Sequence, residues 1–108
     1  MSNNTLQADT FYSVNNPSNL KDTKLSFIKK AIEDYNIISE MGVGRFSLQS
    51  IYSYVERKLE WCCRGSDVEE RDTWGQPAWK HVVRLSMQQL KRSGIIENSD
   101  RGYWNILK

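Results

Sequence analysis

The sequence predicts a mainly helical domain with a small β-hairpin, in the order of a winged helix-turn-helix: three helices plus a two- or three-stranded wing. Three observations predict it. A stretch of helical periodicity opens at Pro77 and closes at Gly94. Two short segments able to pair as strands follow, Ile95 to Asn98 and Tyr103 to Leu107, around Ser99-Asp100-Arg101-Gly102. Two further helical patterns precede this unit.

The first 21 residues differ from the rest. They hold Asn3, Asn4, Asn15, Asn16 and Asn19 with Ser2, Ser13, Ser18 and Pro17, and show no period. Such a tail gains too little from burial to offset the entropy of ordering it, so residues 1–21 are expected to be flexible. Residues 22–108 remain for the domain, enough for one small core. Leu6, Phe11, Tyr12 and Val14 are apolar spots in the tail able to dock on the domain or on a partner.

The first helix is expected from about Asp22 to Ser39, with Asp22 or Thr23 at its start and Gly42 as its stop. Leu25, Ile28, Ala31, Ile32, Tyr35 and Ile38 share its inward face. Val43 to Phe46 is a short link able to add a strand to the later hairpin. Ser47 then caps a second helix, with Phe46 and Ile51 placed for a hydrophobic staple. Leu48, Ile51, Tyr52, Val55 and Leu59 form its apolar stripe. Glu60 to Gln76 is a long connector with an acidic patch at Asp67, Glu69, Glu70 and Asp72. A connection of that length often carries function. Trp61 and Trp74 bracket it and are expected to be pinned to the core.

Pro77 suits a first helical turn. The third helix turns Trp79, Val82, Val83, Ser86, Met87 and Leu90 inward, and Lys80, Arg84, Gln88 and Lys91 outward. Gly94 ends it, with Ile95 closing onto Leu90 in a Schellman-type contact. Gly102 supplies the positive φ of the hairpin turn. Trp104 and Ile106 face the core from the last strand, and Tyr103 and Asn105 face away.

Charge is unevenly placed. From Pro77 onward there are six basic residues against two acidic; before it there are nine against eleven. The excess falls where a nucleic-acid footprint would lie, although a lysine-rich helix also carries such a face simply to stay solvated. Duplex binding needs cations to meet phosphates and donors to reach base edges. Gln76, Lys80, His81 and Arg84 occupy the N-terminal part of the third helix, which meets bases in helix-turn-helix proteins. Gln88 and Lys91 continue that face, and Arg101 stands at the wing tip, within reach of a phosphate or the minor groove.

Other chemistries fit less well. Glu56-Arg57-Lys58, with Asp34 upstream, has a nuclease-like spacing, but the triplet lies within a helical period, whereas that chemistry needs a strand. His81 lacks a nucleophile in a triad context, so no enzyme is expected. Cys62 and Cys63 are adjacent, which disfavours a mutual disulfide, and with the single His81 they cannot complete a four-ligand zinc site. They read as ordinary thiols of a reducing cytoplasm, and no metal or cofactor is expected. No apolar run reaches the ~18 residues of a membrane helix, and no secretory signal is recognisable.

Trp79, Val83, Met87, Leu90, Gly94, Ile95, Ile96, Arg101, Gly102, Trp104 and Leu107 follow a pattern that resembles the winged-helix domains found beside restriction endonucleases, including Mrr-type enzymes. Those domains show an aromatic early in the last helix and a leucine near its end. A glycine, two aliphatics and a hairpin ending in arginine, glycine, aromatic and aliphatic follow. The resemblance covers about 30 of the 108 residues. It implies a domain that recognises or holds DNA, as a regulator or a restriction- or defence-related accessory. The alternative is a protein-docking winged helix, such as a phage or mobile-element inhibitor of a host protein, with residues 60–76 as the docking segment.

Overall fold

A computed structural model of the chain describes residues 17–71 and 75–108, with side chains from Asp22 onward. The apolar spots expected to dock from the tail, and Trp74 and Asp72 of the connector, lie outside the described residues. Helix α1 spans Pro17–Glu33. A 3-10 turn, Ile37–Met41, leads to strand β1, Gly44–Ser47, and helix α2, Leu48–Lys58. Two one-turn helices follow, α3 at Glu60–Cys63 and α4 at Ser66–Glu69. Helix α5, Ala78–Arg92, feeds the hairpin of β2, Ile96–Asp100, and β3, Tyr103–Ile106. The protein is therefore mainly helical with one three-stranded antiparallel sheet of order β1-β3-β2.

Helix α1 differs from expectation at both ends. It begins at Pro17, five residues before the expected domain boundary, and stops at Glu33 rather than Ser39. The stop is Asn36, whose φ of 49° and ψ of 51° place it in the left-handed region that asparagine tolerates better than most residues. Asn36 re-aims the chain so that Ile38 enters the core from the 3-10 turn instead of from the helix. Tyr35, expected inward, is 69% exposed because the helix has already ended, and Lys30 sits over its ring. Gly42, with φ 99°, closes the 3-10 turn.

The link to α2 behaves as expected. Residues Gly44–Ser47 pair with β3, with Phe46 opposite Trp104. The Ser47 hydroxyl accepts from the Ser50 amide, which caps α2.

One core joins all elements. Ile28 and Ile32 come from α1, Ile51 and Val55 from α2, Val83, Met87 and Leu90 from α5, and Trp104 and Ile106 from β3. Trp79 is buried and meets Tyr52 edge-on, with ring centroids 6.0 Å apart. The Ile95 amide donates to the Leu90 carbonyl and the Gly94 amide to the Lys91 carbonyl, completing the expected Schellman closure. The hairpin is tighter than expected. Asp100 pairs directly with Tyr103, leaving Arg101-Gly102 as a two-residue turn, and the register slips around Ser99. Gly102 carries the required positive φ of 80°.

The connector is not a loose loop. Lys24 of α1 is almost wholly buried, and its ammonium donates to the Arg64 carbonyl (2.9 Å) and to Asp67 Oδ1 (3.1 Å). The Glu69 carboxylate accepts from the Gly65 amide. Arg71 bridges to Pro77 and donates to the Gly75 carbonyl, which delivers the chain to α5. Trp61, expected in the core, is instead 42% exposed and packs at the surface against Phe27 (5.5 Å between centroids). Helix α3 spends its inward positions on Cys62 and Cys63.

Both thiols are free and fully buried, and burial pushes each up to about 12. A thiol-reactive dye is expected to label neither cysteine in the native protein at neutral pH and both in denaturant; rapid native labelling would contradict the packing. Because folding raises both pKa values, the stability they confer is full below about pH 9 and declines between pH 9 and 12.

Candidate nucleic-acid interface

Helix α5 presents an unusual surface. No aspartate or glutamate occurs between Asp72 and Glu97, while Lys80, Arg84, Lys91 and Arg92 all fall within α5. Its buried face runs through Trp79, Val83, Ser86, Met87 and Leu90. The ridge opposite, at spacings of four, three and four, is His81, Leu85, Gln88 and Arg92, all exposed.

The expected binding residues divide into two groups on this frame. His81, Gln88 and Lys91 are exposed on α5, and Arg101 is exposed at the hairpin turn. Lys80 and Arg84, expected to point outward with Gln88 and Lys91, instead lie half-buried on the flank facing α2. The Lys80 ammonium is 4.9 Å from the Tyr52 ring centroid and 5.6 Å from that of Trp79. Arg84 reaches the Tyr52 hydroxyl and, over 3.4 Å, His81 Nδ1. Its Nε is buried without a partner. Burial pushes the Tyr52 hydroxyl above its ordinary value, and the Arg84 guanidinium pulls it the other way. The reason for the difference is angular. With 3.6 residues per turn, Lys80 and Arg84 fall on the flank of the buried stripe, where Tyr52 of α2 meets them, whereas Gln88 falls near its antipode. Gln76 is half-buried in the segment before α5, where it has a partner.

Sequence reading leaves out two residues of the exposed α5 ridge, Leu85 and Arg92. Their signal was available: both fall on the helical row of His81 and Gln88.

Ion pairing separates the cations further. Lys24, Lys29, Lys30, Arg45, Lys58 and Arg64 each meet a carboxylate within 4 Å. Among the described residues Lys91, Arg92 and Arg101 meet none, nor do Arg57, Arg71, Lys80, Arg84 and Lys108; Arg92 donates only to Gln89 of its own helix. Arg45 on β1 is held by Asp100 (2.6 Å) and lies over the Tyr103 ring, 4.2 Å from its centroid. The turn bearing Arg101 is fixed at its base. The Asn98 side chain donates to the carbonyls of Asp100 and Tyr103, and the Gly102 carbonyl accepts from the Leu48 amide.

Glu56, Arg57 and Lys58 lie in α2, and Lys58 pairs with Glu40, which also accepts from the Tyr54 hydroxyl. Among the described residues no group of three His, Cys, Asp or Glu side chains could hold a metal ion. One open depression is lined by Ser66, Asp67, Glu69 and Glu70, another by Glu56, Arg57, Glu60 and Arg64; neither includes a residue of the α5 ridge. Among the described residues, no helix is long and apolar enough to cross a membrane. No family model, curated protein or solved structure matches the chain.

Proposed function

We propose that this chain is a non-catalytic duplex DNA-binding protein of the winged-helix kind, with α5 in the major groove and the β2–β3 hairpin as the wing. The observation that carries the reading is the set of exposed, carboxylate-free cations Lys91, Arg92 and Arg101 on an acid-free helix and its hairpin, whereas Lys24, Lys29, Lys30 and Arg64 each meet a carboxylate. The order α1, β1, α2, α5, β2, β3 with sheet order β1-β3-β2 supports it. So does the exposure of His81 and Gln88, which carry the donors and acceptors that base edges require. The departure from the usual motif is the turn between its two helices, commonly three to four residues. Here α3 and α4 fill that place, and the Tyr52–Trp79 contact joins α2 to α5.

A salt titration of binding to random-sequence duplex tests the reading. Phosphate contacts release counterions, so log affinity should fall linearly with log salt, by about 0.9 for each phosphate neutralised. Arg101→Ala should weaken all sequences alike and reduce that slope by about one. Absent or salt-insensitive binding overturns the proposal.

A second reading, docking of a protein partner on the connector, draws on the exposed Trp61 beside Phe27. It is favoured if DNA binding is absent and Trp61→Ala abolishes a partner's binding.

A further inference from the structure

Leu85 is 55% exposed and sits at the centre of the α5 ridge, with His81 one turn before it and Gln88 one turn after. A lone exposed leucine is ordinary on a protein surface. Its setting here is not neutral, because the exposed side of the helix that bears it is polar and cationic, and that helix holds no acidic residue. A surface of that sign is complementary to a polyanion. In the major groove the apolar feature that an aliphatic side chain can meet is the methyl group at C5 of a pyrimidine, which stands beside the hydrogen-bonding edge of the base pair. His81 and Gln88 flank Leu85 with groups able to address that edge.

Building on the DNA-binding reading above, we infer that Leu85 is a specificity-determining residue that contacts a pyrimidine C5-methyl group in the major groove. In unmodified duplex that group belongs to thymine. C5-methylated cytosine offers the same chemistry, and the test separates the two sources.

The experiment measures binding of the full chain and of Leu85→Ala to matched duplexes. One pair carries either thymine or uracil; a second pair, without A·T pairs, carries cytosine with or without C5-methylation. For the wild-type protein each contacted methyl group should change affinity about four-fold, the equivalent of about 0.8 kcal/mol for a buried methyl-sized group. Leu85→Ala should bind uracil and thymine duplexes equally. Leu85 is exposed, so the variant should keep its thermal unfolding midpoint. A Leu85-dependent response in the first pair assigns the contact to thymine, and a response confined to the second assigns it to modified cytosine; either supports the inference. Salt-dependent binding that ignores the methyl group in both pairs overturns the inference and leaves the DNA-binding proposal standing. An equal loss by Leu85→Ala on all duplexes, accompanied by altered self-association, also overturns it. No salt-dependent binding to any duplex overturns both.

Discussion

Leu90→Ala is expected to lower stability by about 2–5 kcal/mol, the range for a core leucine whose site cannot fully collapse. Leu90 is 2% exposed and belongs to the cluster that joins α1, α2, α5 and the sheet. Its backbone is engaged as well, since its carbonyl accepts the Ile95 amide that closes α5 onto the hairpin. A cavity at this point loosens the helix end and the first residues of β2 together. In a domain of this size each kcal/mol lowers the melting temperature by about 4–8 °C. Thermal denaturation of Leu90→Ala beside Leu85→Ala gives an internal control on one helix: the first should melt far below the wild type, the second with it. A loss below 1 kcal/mol for Leu90→Ala would mean that the inward face of α5 has been misassigned.

On the DNA-binding proposal, reversing charge at Lys91 and Arg92 together should abolish most duplex affinity. Neither residue has a carboxylate partner among the described residues, so Lys91→Glu/Arg92→Glu breaks no ion pair of the fold. Both lie in the last turn of α5, where cations complement the helix dipole, so a modest stability loss of about 0.3–1 kcal/mol per site accompanies the change. The binding effect is larger. The two phosphate contacts proposed for these residues would become repulsive, and like-charge juxtaposition costs several kcal/mol, about a hundredfold or more in affinity. The salt dependence should flatten at the same time, by about one unit of slope per lost cation. A double variant that stays folded and binds duplex as tightly as the wild type would remove α5 from the interface.

The elements that sequence reading placed well are those whose rules are local. The α5 stripe, the Gly94 closure, the alternation of Trp104 and Ile106, and the Ser47 cap each depend on residues a few positions apart. Much of what sequence reading leaves out or misplaces depends on contacts distant in sequence. Lys24 occupies a buried position on α1 because Asp67, 43 residues later, receives its ammonium. Trp61 stays at the surface because the single turn of α3 faces inward with Cys62 and Cys63, and hydrophobicity alone ranks the tryptophan above two small thiols. The end of α1 was misread because Ile38 satisfies the core either from a continued helix or from a 3-10 turn, and the periodicity does not distinguish them. At the candidate interface the basic excess was legible. The half-burial of Lys80 and Arg84 was not, since the aromatic flank that holds them comes partly from Tyr52 of α2.

The sheet order has a kinetic consequence. Strands β1 and β2 never touch each other; both pair only with β3, which follows them in the chain. No part of the sheet can therefore exist until β3 has been made. Its pairing with β1 must then close a loop of some sixty residues, from Gly44 to Ile106. Closing so long a loop is entropically costly, and non-local strand pairing is slow relative to helix formation. Folding should thus begin with the helices and the local β2–β3 hairpin and end with the docking of β3 on β1. Until then Phe46 stands on an unpaired strand and β3 keeps one open edge, and that interval is when nascent or refolding chains are most exposed to aggregation.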